Sequence, residues 1–295
     1  MSYLERVRAE VPNIERQRLY RRAVVIAIGG NVILAITKGL LAWVSGSSAI
    51  FSDAANSLSD TLYSLLMGGG LYLSQRPADT GHPQGHGRFE PLVSLFIAAA
   101  MATAGGTAVW RAIRGWRNGP PFLEPGETLD VGWPTVVLLG SILVKVGMYA
   151  LVRRVGEKAE SPAIQASARD NLADVLTSAA ALIGIWGARM IDPILDPVAG
   201  LVVGLWIFRA TWEIAWENLG YLTGRGASPE LSERIAVVAS EVPGVERVHR
   251  VIAEYVGPQL RVDMHINVDG KTSLERAHAI ADRVQEDVER LSEVD

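Results

Sequence analysis

Cysteine is absent from this chain of 295 residues. Disulfides, thiolate metal sites and cysteine nucleophiles are excluded together, and any metal ion must be held by oxygen or imidazole. A positive charge excess is lacking as well. The formal net charge is −4, and no basic stripe exceeds what the flanks of membrane helices require, which argues against nucleic acid as a partner. The N-terminal segment, MSYLERVRAEVPNIERQRLYRR, lacks the short apolar core of a secretory signal and is expected to stay on the mature protein. The residues also offer no nucleophile–base pair, so neither an enzymatic activity nor a resident cofactor is expected.

What the chain has in excess is apolar sequence. Hydrophobic residues make up 49% of it and the mean hydropathy is +0.20, too apolar for an ordinary soluble protein. Crossing ~30 Å of hydrocarbon takes about 20 helical residues. Windows of that kind fall near Ala23–Val44, Ser48–Leu73, Pro91–Trp110, Val131–Val152, Ala163–Met190 and Pro193–Trp216, which predicts six transmembrane helices in a lipid bilayer. Arg6, Arg8, Arg16, Arg18, Arg21 and Arg22 precede the first window. Arg76 and Arg88 follow the second, and Arg153, Arg154 and Lys158 follow the fourth. The opposite side has Arg111, Arg114, Arg117 and Arg189. The positive-inside rule then places both termini in the cytoplasm.

Beyond Gly224 the composition becomes charged. The pattern predicts a helix (Pro229–Val242), two strands (Glu246–Val256 and Leu260–Val268) and a second helix (Ser273–Leu291). Leu260, Val262, Met264, Ile266 and Val268 alternate with Arg261, Asp263, His265 and Asn267, the period of a strand with one buried face. This is most of an αββαβ ferredoxin-like domain whose last strand is missing, because the chain stops at LSEVD after the second helix. The expected class is a mainly α membrane protein. Residues 1–22 form a basic cytosolic segment, 23–216 the six-helix transmembrane domain and 217–295 the cytosolic ferredoxin-like α/β domain.

Charge inside the membrane windows needs a reason. An ionised side chain at mid-membrane costs at least ~2.5–3.5 kcal/mol on insertion scales. The second window nevertheless contains Asp53, Asn56 and Asp60, and the fifth contains Asp170 and Asp174. Asn56/Asp60 and Asp170/Asp174 are each spaced i,i+4, on one helix face a turn apart. Should the two faces meet, four oxygen-bearing side chains converge and a divalent cation compensates their charge. The alternative is neutralisation by Lys38, Lys145 or Arg169, or protonation. The loop RPADTGHPQGHGRFE adds Asp79, His82 and His86, which read either as a Zn²⁺ ligand set or as a polar turn. A zinc-protease helix is excluded there, since Pro83 and Gly85 break the helix and the required glutamate is absent. His249, His265 and His278 lie in the charged region, as ligands or as surface residues.

These segments together resemble the cation diffusion facilitators, from about Arg21 to Leu291. The family's second helix carries an ADA-type segment followed by HSLxD, and here the chain reads SDAANSLSD. Its fifth helix reads ADAxHNxxDVLTS, and here ASARDNLADVLTS. GHG before the third helix and a DP (Asp192-Pro193 or Asp196-Pro197) opening the sixth agree too. The resemblance implies a homodimeric divalent-cation exporter whose transport site is Asn56, Asp60, Asp170 and Asp174. It further implies an accessory loop site at Asp79, His82 and His86, and ligand positions between protomers at His249, His265 and His278. Further cytosolic ligands of the family lie on the missing strand. Zinc-type members have histidine at one or both of the positions of Asn56 and Asp170. Where many members pair the basic residue after GHG with an Asp past the sixth helix, this chain has Arg88 but Gly224. A transport site without imidazole suits hard ions, so Mn²⁺ is favoured, with Fe²⁺ and Zn²⁺ next. The family further implies proton antiport by alternating access, in a bacterial inner membrane. A membrane metal sensor or scaffold that does not transport is the competing class.

Overall fold

The computed structural model describes residues 14–45, 48–118, 132–192 and 194–291. Six long helices come first: α1 (Ile14–Ser45), α2 (Ser48–Ser74), α3 (Phe89–Asn118), α4 (Gly132–Ala159), α5 (Pro162–Met190) and α6 (Leu195–Leu222). A small unit follows, made of α7 (Pro229–Glu241), β1 (Arg247–Val256), β2 (Gln259–Asn267) and α8 (Leu274–Glu289). Arg6 and Arg8 lie outside the described residues, as do Pro193 and the side chains of Asp53, Asn56, Arg111, Arg189 and Asp196.

Local chemistry sets several boundaries. Ser161 caps α5 by accepting the Ile164 N–H, and Pro162, which has no N–H to leave orphaned, takes the first helical position. Ser228 with Pro229 repeats the device at α7, and Ser273 caps α8. The long helices outrun the apolar windows by up to nine residues, as α1 does at Ile14 before the expected Ala23, and α3 by eight at Asn118 beyond Trp110. Hydropathy marks only the part that meets hydrocarbon, whereas a helix continues into water as long as its backbone bonds are made.

The distribution of polarity is that of a membrane protein. Large apolar side chains face outward, with Trp43 83% and Leu143 76% exposed, while Asn31, Lys38, Asp60, Lys145, Asn171 and Asn218 are buried. By length and apolarity alone, α1, α3, α4 and α6 qualify as membrane-crossing among the described residues. The other two, α2 and α5, are equally long but carry the polar positions, and they pack inside the same bundle. The closest neighbours are α3 with α6, α1 with α2 and α4 with α5. The α3–α6 seam is built on small residues: a Cβ on Gly204 would lie 2.6 Å from Val109 Cγ2 and 3.2 Å from the Gly105 carbonyl. In lipid, helix association depends on such close backbone approach.

The C-terminal unit is an αββα arrangement. Strands β1 and β2 pair antiparallel, with Leu260 opposite Tyr255, and burial along β2 alternates as expected. Ile280, Val284 and Val288, spaced four apart on α8, close over Leu231, Ile235 and Leu260. Full burial of such side chains is worth roughly 1.5–3 kcal/mol each. Among the described residues the sheet has two strands. The other edge of β1 is partly covered by the linker after α6, because Ala227 N–H donates to Ala253 O (2.9 Å) and Tyr255 N–H to Arg225 O (3.0 Å). An exposed edge is thereby shortened without a further strand.

Candidate metal centre

Helices α2 and α5 bring Asp60 and Asp174 to opposite sides of one ammonium group. Lys145, on α4 and 4% exposed, donates from Nζ to Asp60 Oδ2 at 2.8 Å and to Asp174 Oδ2 at 2.6 Å. Three helices thus meet at two ion pairs. Asp170, one turn before Asp174, is half-buried, and its charge acts on the same group. Lys38 is buried as well, and its charge acts on Asp60. Asn56 stands one turn before Asp60 on α2, but its side chain is outside the described residues. The neutralising alternative therefore has a named agent, Lys145, alongside the carboxylates that a cation would use.

The α2 face is fixed from α1. Asn31 Nδ2 donates to Ser64 Oγ (2.9 Å), and Ser64 Oγ donates to Asp60 O (2.9 Å). On α5, Asn171 Nδ2 donates to Ser167 O (2.9 Å). Ser57 Oγ and Asn171 Oδ1 are buried and have no hydrogen-bond partner among the described residues. Both are oxygens on the helices that carry the carboxylates, so this end of the bundle has acceptor capacity to spare, as an oxygen-ligand cation path requires.

The loop between α2 and α3 forms a second cluster. One ligand atom from each of Asp79, His82 and His86 lies within 4.8 Å of the other two, the one such three-residue group among the described residues. Asp79 Oδ1 accepts the N–H groups of His82 (2.7 Å) and Gly81 (2.9 Å), which hold its carboxyl below the ordinary range, the His82 bond contributing most. His86 is 7% exposed, and its Nδ1 lies 3.2 Å from the Pro77 carbonyl. A carbonyl can only accept, so Nδ1 carries the proton and Nε2, 3.5 Å from Asp79 Oδ2, is the nitrogen with a lone pair to offer a metal. Both imidazoles lean on Phe89.

The histidines of the C-terminal unit behave differently. A β-bulge between Val248 and Arg250 leaves His249 unpaired, while Arg250 faces His265. The bulge brings the rings of His249 and His265 to 5.5 Å, both exposed. His278 is exposed on α8 and pairs with Asp282 at 3.7 Å. Within one protomer the three do not form a cluster. Arg88 donates to Gln84 Oε1 at 3.3 Å on its own loop, and Gly224 takes a left-handed φ of +71° as α6 ends.

One polar group escaped the sequence reading. Glu90, 1% exposed, accepts from Tyr20 Oη at 2.7 Å and from Ser161 Oγ, and so joins α3, α1 and the cap of α5. A carboxylate in a first helical turn is common, so its position alone carried no signal.

Comparison with known proteins is specific. Residues 24–223 match the cation efflux transmembrane domain, and residues 227–294 match the cation efflux protein cytoplasmic domain. Over 94% of the chain and 96% of the relative, it is 33% identical to an uncharacterised transporter of Methanocaldococcus jannaschii. It is 30% identical to metal tolerance protein 2 of Oryza sativa subsp. japonica (95% and 76% covered). The manganese efflux system protein MneS of Bacillus subtilis is 27% identical, with 88% of each chain covered. Two domain matches in series, over a six-helix bundle with buried carboxylates and an αββα unit, place the chain in the cation efflux family of divalent-metal transporters, the cation diffusion facilitators.

Proposed function

We propose that the protein exports Mn²⁺ in exchange for protons, by alternating access, as a homodimer in a bacterial plasma membrane with both termini cytoplasmic. Residues 1–22 serve as a basic cytosolic segment, 23–216 as the transport domain and 217–295 as the cytosolic domain. Asn56, Asp60, Asp170 and Asp174 form the transport site. Asp79, His82 and His86 are an accessory site, and His249, His265 and His278 are ligand positions between protomers. The observation that carries the metal preference is the donor set: three carboxylates and an amide on α2 and α5, with no imidazole. Oxygen donors suit Mn²⁺, and imidazole would shift the preference toward Zn²⁺. The likeness to MneS, named as a manganese efflux protein, supports the same choice. Fe²⁺ or Zn²⁺ export through this site is the alternative, as is a metal sensor that moves nothing.

Metal uptake into sealed proteoliposomes tests the proposal. The parent should carry Mn²⁺ faster than Zn²⁺ or Fe²⁺ when a proton gradient is imposed. Asp60→Ala or Asp174→Ala should abolish flux while the folded protein persists, since Lys145 keeps one carboxylate partner in either case. Parent-like flux in either variant would sink the proposed site, and binding without flux in the parent would favour the sensor.

A further inference from the structure

We propose that Lys145 is a tethered competitor of the transported metal, an internal cation that must leave Asp60 and Asp174 for a divalent ion to bind and that returns to expel it. This role rests on the transport-site reading above. Its basis is the placement of one Nζ at 2.8 Å from Asp60 Oδ2 and 2.6 Å from Asp174 Oδ2, on carboxylates of two different helices. An ion pair confined to one helix face would have no such reach. Here α4 inserts its cation between α2 and α5, on the oxygens that a metal would take.

Lysine suits the task. Its ammonium is a compact charge on a flexible four-carbon stem, with rotatable donors and no planar fork, so it can release one carboxylate before the other. A buried ammonium must keep acceptors wherever it moves. Ser141 lies one turn earlier on α4 and is buried, and its hydroxyl donates to Val137 O at 2.8 Å, which leaves its own lone pairs available. Lysine side chains on a helix lean toward the N-terminal turn, which is the direction of Ser141.

Two functional consequences follow. A carrier must bind strongly enough to load and weakly enough to unload. Three carboxylates facing a transition metal err toward retention, and a resident ammonium corrects this by re-forming its own ion pairs as the metal departs. The second consequence is selectivity by charge. A monovalent ion offers these oxygens no more charge than Nζ already supplies, so it does not displace the lysine, whereas a divalent ion does.

The test uses the purified full-length protein, with Mn²⁺ as probe, for equilibrium binding in detergent and for uptake by proteoliposomes. If Nζ holds the carboxylates in about nine molecules of ten, apparent affinity is weakened about tenfold, because it scales with the competent fraction. Lys145→Met and Lys145→Gln should then bind Mn²⁺ about tenfold more tightly, with KM and kcat falling together as release slows. Na⁺ should compete with Mn²⁺ in these variants and not in the parent. Lys145→Arg, whose guanidinium grips both carboxylates, should bind Mn²⁺ no more tightly than the parent and stay insensitive to Na⁺. An unchanged Kd in the Met and Gln variants, with no Na⁺ competition, overturns the proposal. Should neither neutral variant fold, tighter Mn²⁺ binding by Lys145→Arg overturns it and weaker binding supports it. Asp60→Asn separates the two levels: parent-like Mn²⁺ binding there means that the transport site itself is elsewhere, a different failure from a lysine that does not compete.

Discussion

Buried side chains in the bundle are valued by their partners, and Glu90 shows how much hangs on one residue. Its carboxylate accepts from Tyr20 on α1 and from Ser161 at the start of α5, while Arg16 Nε donates to Tyr20 Oη at 3.1 Å. A hydrogen bond to a charged group contributes about 1.5–3 kcal/mol, and an unsatisfied partner costs a comparable amount. Tyr20→Phe should therefore lower unfolding free energy by about 1.5–3 kcal/mol, and Ser161→Ala by ~1 kcal/mol more, because the helix cap is lost with the hydrogen bond. Chemical denaturation in detergent measures both. Two variants within about 0.5 kcal/mol of the parent would mean that the network is ornamental. The carboxylates of the proposed transport site differ in this respect. Asp60 and Asp174 were legible because a carboxylate in an apolar window is costly wherever it points. Lys145 could be named from sequence only as one of three candidate neutralisers. The choice among them depends on how α4 rotates against α2 and α5, which no local pattern encodes.

Helices and loops were read with uneven success, for a physical reason. Every long helix was expected, because its apolar stretch is a lower bound on its length. The ends were missed where amphipathic turns continue into water, as in α4, which runs to Ala159 rather than Val152. In the cytosolic unit the alternation of β2 was plain, but the bulge at His249 was not, since one inserted residue changes pairing without changing composition. The α2–α3 loop offered two imidazoles and a carboxylate in the sequence. Folding adds the turn that Asp79 builds by accepting the His82 and Gly81 N–H groups, and the carbonyl that orients His86. Because those donors depress the Asp79 pKa, the turn's stabilisation is present above the ordinary carboxylate range and is lost as pH falls through the lowered value. His86→Ala should weaken Zn²⁺ binding to this loop about tenfold or more, or ~1.4 kcal/mol, while most Mn²⁺ flux remains. Asp79→Asn should keep the turn, because an amide oxygen accepts the same N–H groups, and still lose Zn²⁺ affinity with the charge. Titration calorimetry beside proteoliposome uptake reads both. Complete loss of flux in either variant would put the loop on the permeation path.

At the scale of the molecule, the membrane bundle and the cytosolic unit touch where two glycines meet. Gly257, in the β1–β2 turn, has φ of +68°, and a Cβ there would fall 2.5 Å from the Gly87 carbonyl oxygen and 2.6 Å from its carbon. Gly87 is itself confined, since its Cβ would approach the Val256 carbonyl to 3.2 Å. The GHG sequence before α3 thus has a steric reason: the residue after His86 is where the α2–α3 loop rests on the hairpin. Sequence showed the motif but not what presses against it, because the two segments are far apart in the chain. Gly257→Ala combines a left-handed backbone with a clash against backbone atoms, which neither side can relieve by changing rotamer. Strain of this kind costs about 1–3 kcal/mol unless the contact opens. Opening is the cheaper outcome here, because the hairpin is held within its own unit by the full β1–β2 ladder and by the linker bonds at Ala253 and Tyr255. Hydrogen exchange should then quicken at residues 77–88 of Gly257→Ala while the β1–β2 ladder stays protected. Gly270→Ala, in a turn with open space around it and an ordinary φ, should exchange like the parent. Equal protection of the loop in Gly257→Ala and the parent would show that the hairpin does not brace it. Loss of protection throughout the cytosolic unit would instead mean that the glycine serves the hairpin alone.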